Sequence, residues 1–251
     1  MLSEQPDDGP VFDSEIQRLD WLIKQIEGRV KGADDPQVPP EFLVVFTVTG
    51  AWLNRALTEA KAILLLTTQG LAEAVGPLQR ALWELWIDWR YLLNRGDRPL
   101  NAAKATLSAM LEGLDVFEAY LGTCHPTTLA RLKQDVEEFE AGHPRASAEV
   151  RAQREKRKYH WSGLSRSGME RSLAGSAVVY KLLSWEAHGV VSPVRDVSFE
   201  LNDEVAHSRF GQEILESDVN RAAWITGGVL FYAYNDFALL WGLPAVVLPR
   251  A

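Results

Sequence analysis

The sequence predicts an all-α fold, a single helical bundle of about six to eight helices. Three observations carry this. Apolar residues recur at intervals of three and four along most of the chain. Gly and Pro stand between these stretches at helix starts and stops. The 47% apolar and 24% charged residues match a soluble globular protein and exclude a disordered or collagen-like chain.

The elements follow in order. Ile16, Leu19, Ile23 and Ile26 form one helical face, with Ser14 and Gln17 spaced as a capping box and Gly32 as a stop. Pro39 and Pro40 open a long helix to about Thr68, which Gly70 breaks. A third runs to about Asn94, irregular near Pro77 because that residue lacks an N–H. Arg95 to Pro99 turn the chain. Leu107, Leu111, Leu114, Phe117 and Leu121 mark a fourth helix, and Leu129, Leu132, Val136 and Phe139 a fifth that starts at Pro126. Gly142, His143 and Pro144 stop it. Another helix spans about Ser176 to His188. Val197, Phe199 and Leu201 alternate with polar residues before Asn202-Asp203, which predicts a small hairpin near 197–210. Ser217 caps a last helix that ends near Gly242 to Pro244.

No linker, repeat or low-complexity run divides the chain. It reads as one domain, 1–251, with a flexible N-terminus over 1–12 and a basic connecting segment over 145–171. Met1 to Pro10 has no signal-peptide pattern, and the lone Cys124 cannot form an internal disulfide. Both point to the cytoplasm. The apolar run from Ala222 to Leu240 carries Asn235 and Asp236, a costly pair in lipid, so it reads as a buried helix and no membrane is expected.

Charge is unevenly distributed. Residues 145–171 hold eight Lys or Arg and three Glu, a net +5, which leaves −13 on the remainder of a chain whose total is −8. Within this stretch Arg154, Lys156, Arg157, Lys158, Tyr159, His160 and Trp161 combine positive charge with aromatic rings, the pairing that holds single-stranded nucleic acid. The competing reading is a solvated segment that balances an acidic protein or docks an acidic protein partner. RNA and an acidic protein both stay open.

Two polar stripes interrupt otherwise apolar helices. Arg80, Glu84 and Asp88 are four apart on the third helix, whose Leu82, Trp83, Leu85, Trp86, Ile87 and Trp89 point in nearly every direction. Tyr180, Ser184 and His188 repeat that spacing. If the two stripes face each other they form one interior hydrogen-bonded cluster, since buried charges need partners. The plainer reading is a surface ion pair, a serine bonded to its own helix and a histidine capping it.

These residues carry a resemblance. Gly70, Leu71, Arg80, Leu82, Glu84, Ile87 and Tyr91-Leu92, then Trp161 and the Tyr180-x-x-x-Ser184-x-x-x-His188 helix, resemble the uncharacterised bacterial family labelled domain of unknown function 5677. The likeness spans about Ala60 to Gly189. It implies an all-helical fold and no settled activity.

Several chemistries compete for these residues. Arg154 and His160 fit the Arg-to-His spacing of HEPN-type ribonucleases, and Arg80 with His188 offers the same pair from two helices. There the His is a general acid or base and the Arg stabilises phosphorane charge. Glu140 with His143 and Glu204 with His207 have di-iron spacing, but Gly142, Pro144 and a strand pattern disrupt the helices such a site needs. Ser184 with His188 and Asp88 lacks a nucleophile elbow. No phosphate loop is present, and neither a metal nor a cofactor is expected. Two functions follow: an interaction module built around the Arg80, Glu84, Asp88, Tyr180, Ser184 and His188 cluster, or a metal-independent ribonuclease in stress or phage defence with that cluster catalytic. Catalysis requires His188 to open onto a cleft or the groove of a homodimer.

Overall fold

The computed structural model describes residues 10–32, 37–121, 125–156, 160–174, 197–202, 205–210 and 216–248. Eight α-helices lie within these residues: α1 (Glu15–Lys31), α2 (Leu43–Thr68), α3 (Gly76–Asn94), α4 (Arg98–Tyr120), α5 (Pro126–Gly142), α6 (Pro144–Glu155), α7 (Arg166–Ala174) and α8 (Glu216–Trp241). The all-α class is as expected. The added strands β1 (Val197–Asn202) and β2 (Val205–Phe210) pair antiparallel, Val197 opposite Phe210 and Asn202 opposite Val205. No described helix is long and apolar enough to cross a membrane.

Helix ends follow local chemistry. The Ser14 side chain accepts from the Gln17 N–H at 3.3 Å, while the Gln17 side chain accepts from Asp13 N–H rather than from the cap residue itself. Gly70, at φ +74, ends α2: its N–H reaches Thr67 O at 3.1 Å and the Leu71 N–H reaches Leu66 O at 2.9 Å, a Schellman close. Pro77 sits in the first turn of α3, where its missing N–H costs nothing, and the irregularity expected near it is the 3-10 turn Ala72–Val75 that leads into the helix. Asp97 caps α4 by accepting from Leu100 N–H at 3.1 Å.

The chain was expected to form one domain, and it groups into two compact units interleaved in sequence. One draws on Met1–Pro36, Leu53–Trp86 and Val178–Ala251, the other on Gln37–Trp52 and Ile87–Ala177. In the first, α1 packs on α8. Leu19, Leu22, Ile23 and Ile26 are buried there, as are Leu230, Ala233, Tyr234 and Phe237. The polar break in the apolar α8 has a structural use. The Asn235 amide exchanges two hydrogen bonds with the Val246 backbone, at 2.9 and 3.0 Å, and the Tyr234 hydroxyl donates to Pro244 O at 2.8 Å. These contacts fold the tail back along its own helix.

In the second unit α4, α5 and α6 enclose Leu107, Leu111, Val136 and Val150, with Met110, Leu114 and Phe139 packed against them. The basic connecting segment expected over 145–171 carries most of α6 and the start of α7. α6 begins at Pro144, the residue read as a stop, because proline in a first turn starts a helix as readily as it ends one. α7 begins at Arg166.

Candidate functional site

On α3 the Arg80 Nε donates to Glu84 at 2.9 Å, one turn apart, with the two side chains 23% and 19% exposed. That is neither a free surface pair nor a fully interior one. One turn further, Asp88 is 7% exposed, and its partners come from the segment that follows α6. His160 Nε2 lies 3.0 Å from Oδ1 and Arg166 Nη2 donates to Oδ2 at 3.4 Å. The anticipated second stripe, Tyr180, Ser184 and His188, lies outside the described residues.

The network fixes the tautomer of His160. The Ser162 backbone N–H donates to Nδ1 at 3.3 Å, so Nδ1 is the acceptor and Nε2 carries the proton given to Asp88. The Ser162 hydroxyl lies 2.8 Å from the same Nδ1 and accepts from the Leu164 N–H at 3.2 Å. Gly163, at φ +71, closes this turn by donating to His160 O at 2.9 Å, and a side chain there would also press on Gln153. Asp88, His160 and Ser162 thus form one hydrogen-bonded chain, buried at the carboxylate and half-exposed at the hydroxyl.

The contacts extend along α3. Tyr91 meets Trp161 edge-on, and the Arg95 guanidinium donates to Ser172 O. Asp88, Tyr91 and Arg95 are three and four apart and share one helical face, so the stripe seen in the sequence runs on as a docking face for residues 160–172. Trp161 is 5% exposed, which removes it from the surface where a nucleobase would stack. Its indole N–H has no acceptor among the described residues.

Much of the positive charge of 145–171 is matched within the unit. Arg145 lies 3.5 Å from both Asp97 and Glu149, Arg151 bonds Glu140 at 2.7 and 3.0 Å, and Arg154 pairs with Asp115. The Arg151 bond and the Ser147 hydroxyl hold the Glu140 carboxyl below its usual range, and the same bond to Glu140 raises Arg151. Lys156 and Arg171 are exposed. Arg157, Lys158 and Tyr159 lie outside the described residues.

Glu140 is therefore engaged by a cation. His143 turns Nδ1 to Phe139 O at 3.0 Å and stacks on the Phe139 ring, so the pair with di-iron spacing does not converge. No described group of three or more His, Cys, Asp or Glu could hold a metal.

Residues 46–205 match the model of a family of unknown function, DUF5677. The chain belongs to this family. Its DUF5677 match includes Arg80, Glu84, Asp88, Tyr91, His160, Trp161 and Arg166. No curated protein and no solved structure matches the chain. Within the DUF5677 region, sequence reasoning located Asp88 and Trp161 but missed Arg166 and Ser162. It noted His160 for its spacing from Arg154 and as a member of the basic, aromatic segment, not as a partner of Asp88. The available signal was a lone His-Trp pair at the end of a charged run, which names no partner.

Proposed function

We propose that this DUF5677 protein is a bacterial, cytoplasmic interaction module in which the segment 145–171 is a fixed basic arm for an acidic protein partner. One observation carries the reading: the buried Asp88 carboxylate holds both His160 and Arg166, at 3.0 and 3.4 Å. A carboxylate removed from water and given two partners orders the chain that supplies them. The arm then offers Lys156 and Arg171 to an anionic surface from a set position. Titrating the full chain into a labelled oligoglutamate peptide tests it. Saturable binding that weakens with salt and in a Lys156→Glu, Arg171→Glu double variant supports the module. No binding, or binding unchanged in the variant, overturns it.

A metal-independent, HEPN-like ribonuclease is the second reading. The observation favouring it is that His160, six residues after Arg154, is hydrogen-bonded to a carboxylate on a half-exposed turn. An oriented imidazole of this kind serves as general acid or base. Total RNA incubated in chelator with the protein, and with Arg154→Ala, His160→Ala, Arg80→Ala and His188→Ala variants shown to fold, separates the two arginine–histidine pairs. Absence of cleavage by the unaltered protein removes this reading.

A further inference from the structure

The chain Asp88–His160–Ser162 ends in a hydroxyl that neither reading uses. We infer that Ser162 is an activated nucleophile toward small esters and related acyl or phosphonyl electrophiles, with His160 as its general base and Asp88 as a positioning residue. This goes beyond the interaction reading and does not rest on it.

Three features of the turn point this way. The Ser162 Oγ lies 2.8 Å from His160 Nδ1, within proton-transfer reach. Nδ1 is the unprotonated nitrogen, because the Ser162 N–H donates to it and Nε2 faces Asp88 at 3.0 Å. A nucleophile, a base and a group that orients the base are thus joined in one line. The Leu164 N–H donates to Oγ at 3.2 Å and fixes the position of that oxygen in the turn. Ser162 and His160 are half-buried while Asp88 is buried, and Oγ also lies 3.2 Å from Sδ of the buried Met169 and 3.5 Å from Leu164 O. The imidazole is turned relative to a hydrolase triad, with Nδ1 to serine and Nε2 to the carboxylate, but both nitrogens are chemically competent.

The step balances as an acyl transfer. The Ser162 Oγ bonds to the ester carbonyl carbon while its proton passes to His160 Nδ1, giving an imidazolium stabilised by Asp88. Collapse breaks the bond to the leaving alkoxide, which takes that proton. Water then attacks the acyl-serine, gives a proton to Nδ1 and releases the carboxylic acid as the hydroxyl reforms. With a fluorophosphonate the oxygen–phosphorus bond forms, fluoride leaves and the adduct persists.

The test is to treat the full-length protein with a biotinylated fluorophosphonate and map the adduct by mass spectrometry. A single adduct on Ser162 is expected. It should be absent in Ser162→Ala, whose helical circular dichroism is unchanged, and form at least 100-fold more slowly in His160→Gln. A folded Asp88→Asn variant should label about tenfold more slowly, with the rate against pH displaced from that of the unaltered protein; a purely structural Asp88 would move neither. No adduct on the unaltered protein, beside a fully labelled control serine hydrolase, overturns the inference even if the histidine variant fails to fold. So does labelling that persists in Ser162→Ala or falls on Ser165.

Discussion

Trp161 meets Tyr91 edge-on, with ring centroids 5.7 Å apart and planes at 73°. The indole is in the interior and the phenol ring belongs to the α3 face that also carries Asp88 and Arg95. An edge-to-face pair adds about 0.5–1.5 kcal/mol to the burial of the rings themselves. This contact and the Asp88 clasp lie about one turn apart on α3. Together they hold residues 160–172 against that helix.

Trp161→Ala should therefore destabilise the second unit by about 3–5 kcal/mol, the cost of emptying an aromatic site in a packed interior. Trp161→Phe should lose only about 1–2 kcal/mol, because it keeps most of the ring volume and drops an N–H that has no described acceptor. Trp224 is 63% exposed, and Trp224→Ala should stay within about 1 kcal/mol. Urea unfolding followed by far-ultraviolet circular dichroism gives all three. A Trp161→Ala loss no larger than that of Trp224→Ala would contradict the packing.

Asp88→Ala strands two polar partners beside a buried site and should cost about 3 kcal/mol. Asp20→Ala removes the partner of Lys24 from an exposed pair on α1 and should cost less than about 0.5 kcal/mol. Both variants lose one carboxylate; they differ in its burial and in the number of partners it leaves, two for Asp88 and one for Asp20. Equal midpoints in the same urea titration would show that Asp88 is hydrated.

The long helices were legible in the sequence because each carries its own signal. Ser14 and Gln17 cap α1 locally, and Leu107 and Leu111 mark the inner face of α4 by spacing alone. α6 was not legible. Its buried residues are only Ala146 and Val150, and its arginines are answered by Glu140 and Asp115 on other helices, so the stretch reads as solvated charge. The site divides the same way. Asp88 stood out as a charge on an apolar helix, a local anomaly. Its partners His160 and Arg166 are 72 and 78 residues away, and one sequence holds no trace of which distant side chains a buried carboxylate selects.

Glu140 gives a dependence on pH whose sign is fixed. Arg151 and Ser147 hold its folded carboxyl below the unfolded value of about 4.3, so the folded state binds fewer protons than the unfolded one near that pH. The resulting stability is present in full above about pH 5. It is lost as the pH falls through the unfolded range toward the lower folded value. Glu140→Gln removes the titration, so the variant's stability should fall less steeply between about pH 5 and pH 3 than that of the unaltered protein. Urea midpoints measured at half-unit intervals of pH test this. Parallel slopes would mean that the Arg151 pair does not persist in solution.

Two glycines should respond to alanine with opposite signs. Gly70 closes α2 at φ +74, where a Cβ meets no neighbour within 4 Å, so Gly70→Ala is penalised by the left-handed backbone alone, about 1 kcal/mol. Gly70→Asn should recover part of that loss, since asparagine tolerates this region. Gly113 lies inside α4 at an exposed position, and its Cβ would also enter open space. There alanine only restricts the unfolded chain and favours the helix, so Gly113→Ala should stabilise by about 0.5–1 kcal/mol. Steric clash is absent at both positions, so the difference in sign reports the backbone. Thermal midpoints that moved in the same direction would place Gly70 outside the left-handed region in solution and leave α2 without its Schellman close.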